Sequence, residues 1–580
     1  MKAFITSIFV LVFRLSVFAG STPAQYLPDS IINKIDSLFA VYENNYSPGY
    51  AVGIVMGDSL VYAKGYGMAN LEYGIPITPE TIFHMASVSK QFTAYCLVLL
   101  ANQGKLKLED DVRKYLLWFP NMQSKITIYN ILNHTSGIRD QWQLLAIAGT
   151  RLEDLITQEH IIKMLNEQRT LNFKPGEQYS YSNSGYTMAA EIIGTVTKHT
   201  LRQYSDSVIF RPLGMHNTFF HDDYQEIIRN RSYSYSNLGN NNYINSILNY
   251  ANVGATSLCS NVIDMSKWIM NFYDPRAGNQ RDIDLLTRRS KLNDSTELNY
   301  GMGIELMPYK GWRQYSHSGA DAGYRANISV FPDLKMGFIV LSNVADSDPT
   351  GKTLAIADMF ISDTTLKKRS LKQEPLDSTK AILKDTLSIR KFLGNYMSEA
   401  GLPVSLKLKD KMLYYHLYDD SKLLVRDSSN TFLIYETPDI RFVLGMQQAD
   451  TTIDILSLNT YSHLTKYNLN RKLDNKFLKL YTGSYYSHEL DTRYNIVLKD
   501  SQLWLTHSKY NRTRLFLIND DQLINDFWWM RNLRVLRNDK GIITGFEVNC
   551  GRVNHLQFLK MDPTGSGLQK KLKQRQKVLL

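Results

Sequence analysis

Residues 81–94 read TIFHMASVSKQFTA, and the run that follows, SKQFTAYCLVLLANQGKL (89–106), has helical apolar spacing and stops at Gly104. Ser87 and Lys90 stand three apart at the start of that helix, so they share one face and their polar heads can meet. A serine hydroxyl is a poor nucleophile until a base removes its proton. A lysine does this only when neutral, and burial together with the positive end of a helix dipole lowers its pKa. The plain alternative is a serine that caps a helix. Ser388 and Lys391 repeat the spacing where nothing catalytic is expected, so the pair needs company.

On the N-terminal side YAVGIVMGDSLVYAKGYG (50–67) reads as a hairpin turning at Gly57-Asp58, and far downstream RANISVFPDLKMGFIVLSN (325–343) as another turning at Pro332-Asp333. Strands at both ends with helices between predict one sheet assembled from distant parts of the chain. A second polar constellation lies between them, Tyr181-Ser182-Asn183. Pro175-Gly176 places a turn before it and the helical pattern GYTMAAEIIGTV follows. A tyrosine hydroxyl can relay a proton and an asparagine amide can hold a substrate amide. Tyr233–Asn237 repeats the string YSYSN, but loop-like residues follow it. The third constellation is His317-Ser318-Gly319-Ala320, leading into the late hairpin. A strand there brings backbone N–H groups to a developing oxyanion, with glycine allowing close approach.

The order Ser-x-x-Lys, Tyr-x-Asn, His-x-Gly resembles that of the class C β-lactamases and low-molecular-weight penicillin-binding proteins. The blocks TIFHMASVSKQFTA, ILNHTSGIRD, PGEQYSYSNSGY, RPLGMHNT, YGMGIEL and HSGADAGY are also similar to that family's and occur in its order. The resemblance implies an α/β fold: a mainly antiparallel sheet flanked by helices, with a helical subdomain and the site between them. It implies Ser87 as the acylated nucleophile, Lys90 as its partner, Tyr181 as proton relay and Asn183 as a substrate and lysine contact. The backbone N–H groups of Ser87 and Ala320 would form the oxyanion hole beside Gly319. His317 stands where the β-lactamases carry lysine, as in the family's DD-peptidases, D-aminopeptidases and some esterases. A mostly neutral histidine is a weaker partner for an antibiotic's carboxylate.

The expected activity is therefore an exported serine hydrolase acting on D-residue peptides or amides, of DD-carboxypeptidase or D-aminopeptidase type, or on esters. The alternatives are a class C-like β-lactamase and a non-turnover receptor for β-lactams or cell-wall fragments. Arg325, six residues beyond Gly319, is read as a surface ion pair rather than a substrate contact.

The whole chain has 580 residues, too many for one core, and roughly two to four domains are expected. A hydrophobic fraction of 44% and a charged fraction of 21% exclude long disorder and a polytopic membrane protein. A net charge of +11 is mild for this length, and aromatic and basic residues form no nucleic-acid surface. Cys96, Cys259 and Cys550 make neither a disulfide framework nor a ligand set. No metal or other cofactor is implied. The start of the chain has the pattern of a signal peptide over residues 1–24, which points to a periplasmic or secreted protein with no membrane span after its removal.

A hydrolase domain is expected over 27–362, then a polar linker over 363–386. Beyond it FLGNYMSEAGLPVSLKLKDKML (392–413) is echoed by YTGSYYSHELDTRYNIVLKDSQL (481–503), about 90 residues later. The echo predicts two small all-β, barrel-like repeats, 387–470 and 477–561, followed by a basic tail over 562–580. D-aminopeptidases of the family resemble this arrangement in carrying two C-terminal β-barrels.

Overall fold

The two hairpins meet in one five-stranded sheet. β1 (Tyr50–Met56) and β2 (Ser59–Tyr66) turn at Gly57-Asp58, with Gly57 at φ +61°. Far along the chain come β3 (Tyr315–Asp321), β4 (Tyr324–Phe331) and β5 (Met336–Ser342). The order is β3-β4-β5-β1-β2, antiparallel throughout, and β1 joins β5 in register from Tyr50↔Ser342 to Met56↔Met336. The computed structural model describes residues 27–363 and 381–561, apart from 399–400, 418–419, 436–439, 448–449, 458–459, 470 and 472. The signal-like segment 1–24, most of the polar stretch 363–386 and the tail 562–580 lie outside the described residues.

Both faces of the sheet are covered, so β1 is apolar and buried nearly throughout rather than alternating. Helices Asp29–Phe39 and Pro349–Ala357 cover one face through a core that includes Phe39, Tyr50, Val52, Phe338 and Ile356. Helix Val262–Asn271 covers the other. It approaches closely because a Cβ on Gly53 would lie 2.4 Å from Val262 Cγ1, and one on Gly337 2.3 Å from Ile269 Cγ2. Behind it run helices Ser89–Asn102 and Ser184–Thr197, packed on one another. Residues 89–100 are buried all round, which explains why their apolar pattern is nearly continuous.

The C-terminal third forms two closed barrels of eight strands each, spanning Gly394–Tyr467 and Gly483–Lys560. The sequence echo has a physical basis. Asp410-Lys411 and Asp500-Ser501 occupy left-handed positions in the second hairpin turn of each barrel. Tyr396 and Tyr485 are buried and donate to the carbonyls of Phe392 and Tyr481, at 2.7 and 2.6 Å. The barrels differ in attachment. The first encloses a core of its own, whereas the second is continuous with the large core of the N-terminal part. Among the described residues no helix is long and apolar enough to cross a membrane.

Candidate active site

Ser87 lies in a one-turn 3-10 segment, Ala86–Val88, immediately before helix Ser89–Asn102. Ala86 takes a left-handed conformation, φ +46°, which costs a non-glycine residue about 1–2 kcal/mol and turns the next side chain out of the core. Gly319, on edge strand β3, backs this turn. A Cβ there would lie 2.4 Å from the Met85 carbonyl oxygen and 3.1 Å from the Ser87 nitrogen. Its neighbour Ala320 is exposed.

Lys90, on the first turn of the helix, is completely buried. Its Nζ lies 3.0 Å from Ser87 Oγ, 2.8 Å from Asn183 Oδ1 and 2.7 Å from the Ala255 carbonyl oxygen. Burial pushes its pKa down to about 7, against the opposing pull of the Asp321 and Asp140 carboxylates. A neutral amine has two N–H groups and one lone pair. The Ala255 oxygen and Asn183 Oδ1 can only accept, so they take the two N–H groups and leave the lone pair facing the Ser87 hydroxyl. The orientation of the Asn183 amide is fixed independently, because Nδ2 donates to Asp140 Oδ2 at 2.7 Å. Asn183 precedes helix Ser184–Thr197, yet its side chain is diverted from capping that helix to these two contacts.

The Tyr181 hydroxyl lies beside the Ser87 side chain, and its ring lies 5.0 Å from Lys90 Nζ and 4.2 Å from the His134 ring. Burial raises its pKa far above the ordinary tyrosine range, which the neighbouring Ser87 hydroxyl and the Arg552 charge only partly offset. His317 is buried on β3. The Ser318 carbonyl accepts from Nδ1 at 2.6 Å, so Nδ1 carries the proton and Nε2 accepts from Tyr300 Oη at 3.1 Å. Tyr300 in turn accepts from His134 Nε2 at 3.1 Å, while His134 Nδ1 accepts from the Ser182 N–H. Desolvation, reinforced by the Lys90 charge, holds His317 neutral with a pKa of about 3.

All three motifs named from sequence thus converge on Ser87, and both look-alikes lie elsewhere. Ser388 and Lys391 lie at a four-residue helix, Leu387–Arg390, leading into the first barrel. Tyr235–Asn237 is a short strand paired with Tyr243–Asn245. Arg325 forms no ion pair among the described residues. It is partly buried, and its guanidinium donates to the Ala322 and Tyr324 carbonyls.

Several neighbours were not singled out in the sequence. His134 and Asp140 lie within ILNHTSGIRD, Tyr300 opens YGMGIEL and Asp321 lies within HSGADAGY. Asp140 organises much of the site. Its Oδ2 accepts from the Asn183 backbone and side chain, and its Oδ1 caps helix Gln141–Ala148 through the Trp142 and Gln143 N–H groups. Asp321 accepts from Thr256 Oγ1 and lies 2.9 Å from His84 Nε2. The fifth neighbour, Arg552, comes from the second barrel and has no local sequence signal.

That barrel is joined to the site through the same helix. Its hydroxyls satisfy the helix's terminal carbonyls: Tyr510 donates to Ala146, Tyr494 to Ile147 and Thr492 to Ala148, at 2.9, 3.0 and 3.3 Å. Arg139, with no exposed side chain, donates to Glu489 Oε2 at 2.7 Å and to the Asn554 carbonyl at 2.9 Å.

The chain is similar to proteins already known. The chain is 25% identical over 416 residues to "Penicillin-binding protein 4*" of Bacillus subtilis (strain 168), covering 68% of this chain and 90% of that protein. It is 28% identical over 314 residues to a "D-aminopeptidase" of Brucella anthropi, covering 53% of this chain and 59% of that protein. A solved octameric penicillin-binding protein homologue from Pyrococcus abyssi superposes with a TM-score of 0.50 at 21% identity. That match covers 83% of this chain and 98% of the other, and supports the fold. The sequence profile of the beta-lactamase family matches residues 35–361, more than half of the chain, and the protein belongs to that family.

Proposed function

We propose that the protein is an exported serine hydrolase that forms an acyl-enzyme on Ser87 and acts on peptides or amides containing D-residues, or on related esters. The observation that carries this reading is the completely buried Lys90 amine, 3.0 Å from Ser87 Oγ and held by Asn183 Oδ1 and the Ala255 carbonyl. In acylation, Ser87 Oγ passes its proton to Lys90 Nζ and attacks the substrate carbonyl carbon. The backbone N–H groups of Ser87 and Ala320, held together by Gly319, receive the oxyanion. Tyr181, kept protonated by burial, gives its proton to the leaving nitrogen or oxygen and recovers one from the Lys90 ammonium. Asn183 holds the amine and orients the substrate amide. Water then repeats the sequence on the ester and releases the acid. The relatives named as a penicillin-binding protein and a D-aminopeptidase support the substrate class, and the neutral His317 disfavours efficient β-lactam hydrolysis.

The test is the intact mass of the protein after treatment with a fluorophosphonate and, separately, a penicillin, beside Ser87→Ala. One adduct per chain that is absent from the variant, followed by turnover of D-alanyl peptides, amides or esters, is the expected result. Adducts that persist in Ser87→Ala, or none with either reagent, overturn the mechanism. Acylation by penicillin without turnover of any substrate favours a receptor instead.

A further inference from the structure

The turn Gly551-Arg552, between barrel strands Ile543–Cys550 and Val553–Lys560, is bound firmly to the N-terminal part of the chain. The Arg552 N–H donates to Gln143 Oε1 at 2.9 Å, and its carbonyl accepts from Asn172 Nδ2 at 2.9 Å and from the Asp140 N–H at 3.2 Å. The Gln143 amide in turn donates to the Cys550 carbonyl at 2.6 Å. A backbone held at this many points fixes where the side chain begins.

The guanidinium carbon of Arg552 lies 4.8 Å from the centre of the Tyr181 ring, and Nη1 lies 4.0 Å from Asp140 Oδ2. At that distance there is no hydrogen bond, and Asp140 Oδ2 already accepts two from Asn183. The Arg552 side chain is 48% exposed and, among the described residues, its guanidinium donates no hydrogen bond. Five N–H donors in a rigid fork are therefore available beside the tyrosine that contacts the nucleophile. The other cationic candidates of the site are occupied. Lys90 is buried and fully engaged, and His317 is neutral with both ring nitrogens bonded.

We propose that Arg552 binds a carboxylate on the leaving-group side of the substrate, so that the second barrel makes this site selective for peptides with a free acid over the corresponding amides. The inference rests on Ser87 being the reacting centre. The side is set by Tyr181, which hands its proton to the leaving group and carries the guanidinium against its ring. Arginine matches a carboxylate with two parallel N–H···O bonds, a match that a neutral amide cannot make.

Calorimetry on the Ser87→Ala protein with acetyl-D-Ala-D-Ala and its C-terminal amide tests the assignment without needing catalysis. The acid should bind about tenfold or more tightly than the amide, in keeping with a charged hydrogen-bonded pair. Adding Arg552→Gln should bring the acid-to-amide ratio close to one, and Arg552→Lys should retain part of the preference. Equal binding of acid and amide, no binding of the acid at millimolar concentration, or a preference that survives Arg552→Gln overturns it. A loss shared equally by both ligands assigns Arg552 a structural role and also overturns it. Absence of a fluorophosphonate adduct on the wild-type protein is a separate failure, that of the acyl-enzyme reading.

Discussion

The pH dependence of Ser87 modification follows from where Lys90 lies. With its pKa near 7, the amine is about 1% neutral at pH 5, half neutral at pH 7 and almost wholly neutral at pH 9. The second-order rate of fluorophosphonate labelling should therefore rise about 100-fold between pH 5 and 9, with a slope of one below the midpoint and a plateau above it. Asp321→Asn keeps a hydrogen-bonding side chain near Thr256 and His84 but removes a carboxylate that stabilises the ammonium. The midpoint should then move to lower pH, by about one unit. The same depression has a cost in stability. In the unfolded chain the lysine returns to its ordinary 10.5, so between the two values the unfolded state binds the additional proton. Stability rises with pH across that window, and below pH 7 the buried ammonium costs on the order of 5 kcal/mol relative to pH above 10.5. Lys90→Met should lose the labelling and flatten this part of the stability profile, as read by urea midpoints at pH 6 and 9. A labelling midpoint near 10, a pH-independent rate, or an upward shift in Asp321→Asn refutes the argument that Lys90 works as a neutral base.

Two further outcomes are expected. Gly319→Ala places a methyl group 2.4 Å from the Met85 carbonyl, so β3 must move away from the Ser87 turn; labelling should fall about 100-fold while circular dichroism shows the fold retained. Glu489→Ala leaves the Arg139 guanidinium buried without its carboxylate and should destabilise the protein by about 3–5 kcal/mol in urea titration; a loss below 1 kcal/mol would show that the pair is not needed to hold the second barrel.

How much of this was legible in the sequence depended on the range of the signal. The hairpin at Gly57-Asp58 and the Ser87–Lys90 spacing are local patterns, and the turns that force them are local too. That Tyr181 rather than Tyr233 lies near Lys90 was also legible, because a helix follows one and not the other. What could not be read was chemistry assembled across distance. Arg139 and Glu489 are 350 residues apart, and an arginine in a hairpin turn has no feature marking it as facing a tyrosine far away along the chain. The unequal roles of the two repeats were hidden for a similar reason. Tyr494 occupies the place of Val404, each paired with the equivalent tyrosine, Tyr485 or Tyr396. In a repeat comparison that difference is an ordinary strand substitution. In the structure it is the hydroxyl that satisfies the Ile147 carbonyl.

The two-ended capping of helix Gln141–Ala148, by Asp140 at its start and by barrel hydroxyls at its end, has a consequence for how this chain tolerates shuffling. The segment nearest the hydrolase part in sequence, the first barrel, keeps a self-contained core, whereas the more distant second barrel shares its core with the catalytic half. Cooperative melting should thus link two regions that are not neighbours along the chain and skip the one between them. A chimera that exchanges only the first barrel leaves the shared core in place. One that exchanges the second removes the acceptors' partners from a helix whose first residue-side anchor holds Asn183, and with it the seat of the lysine.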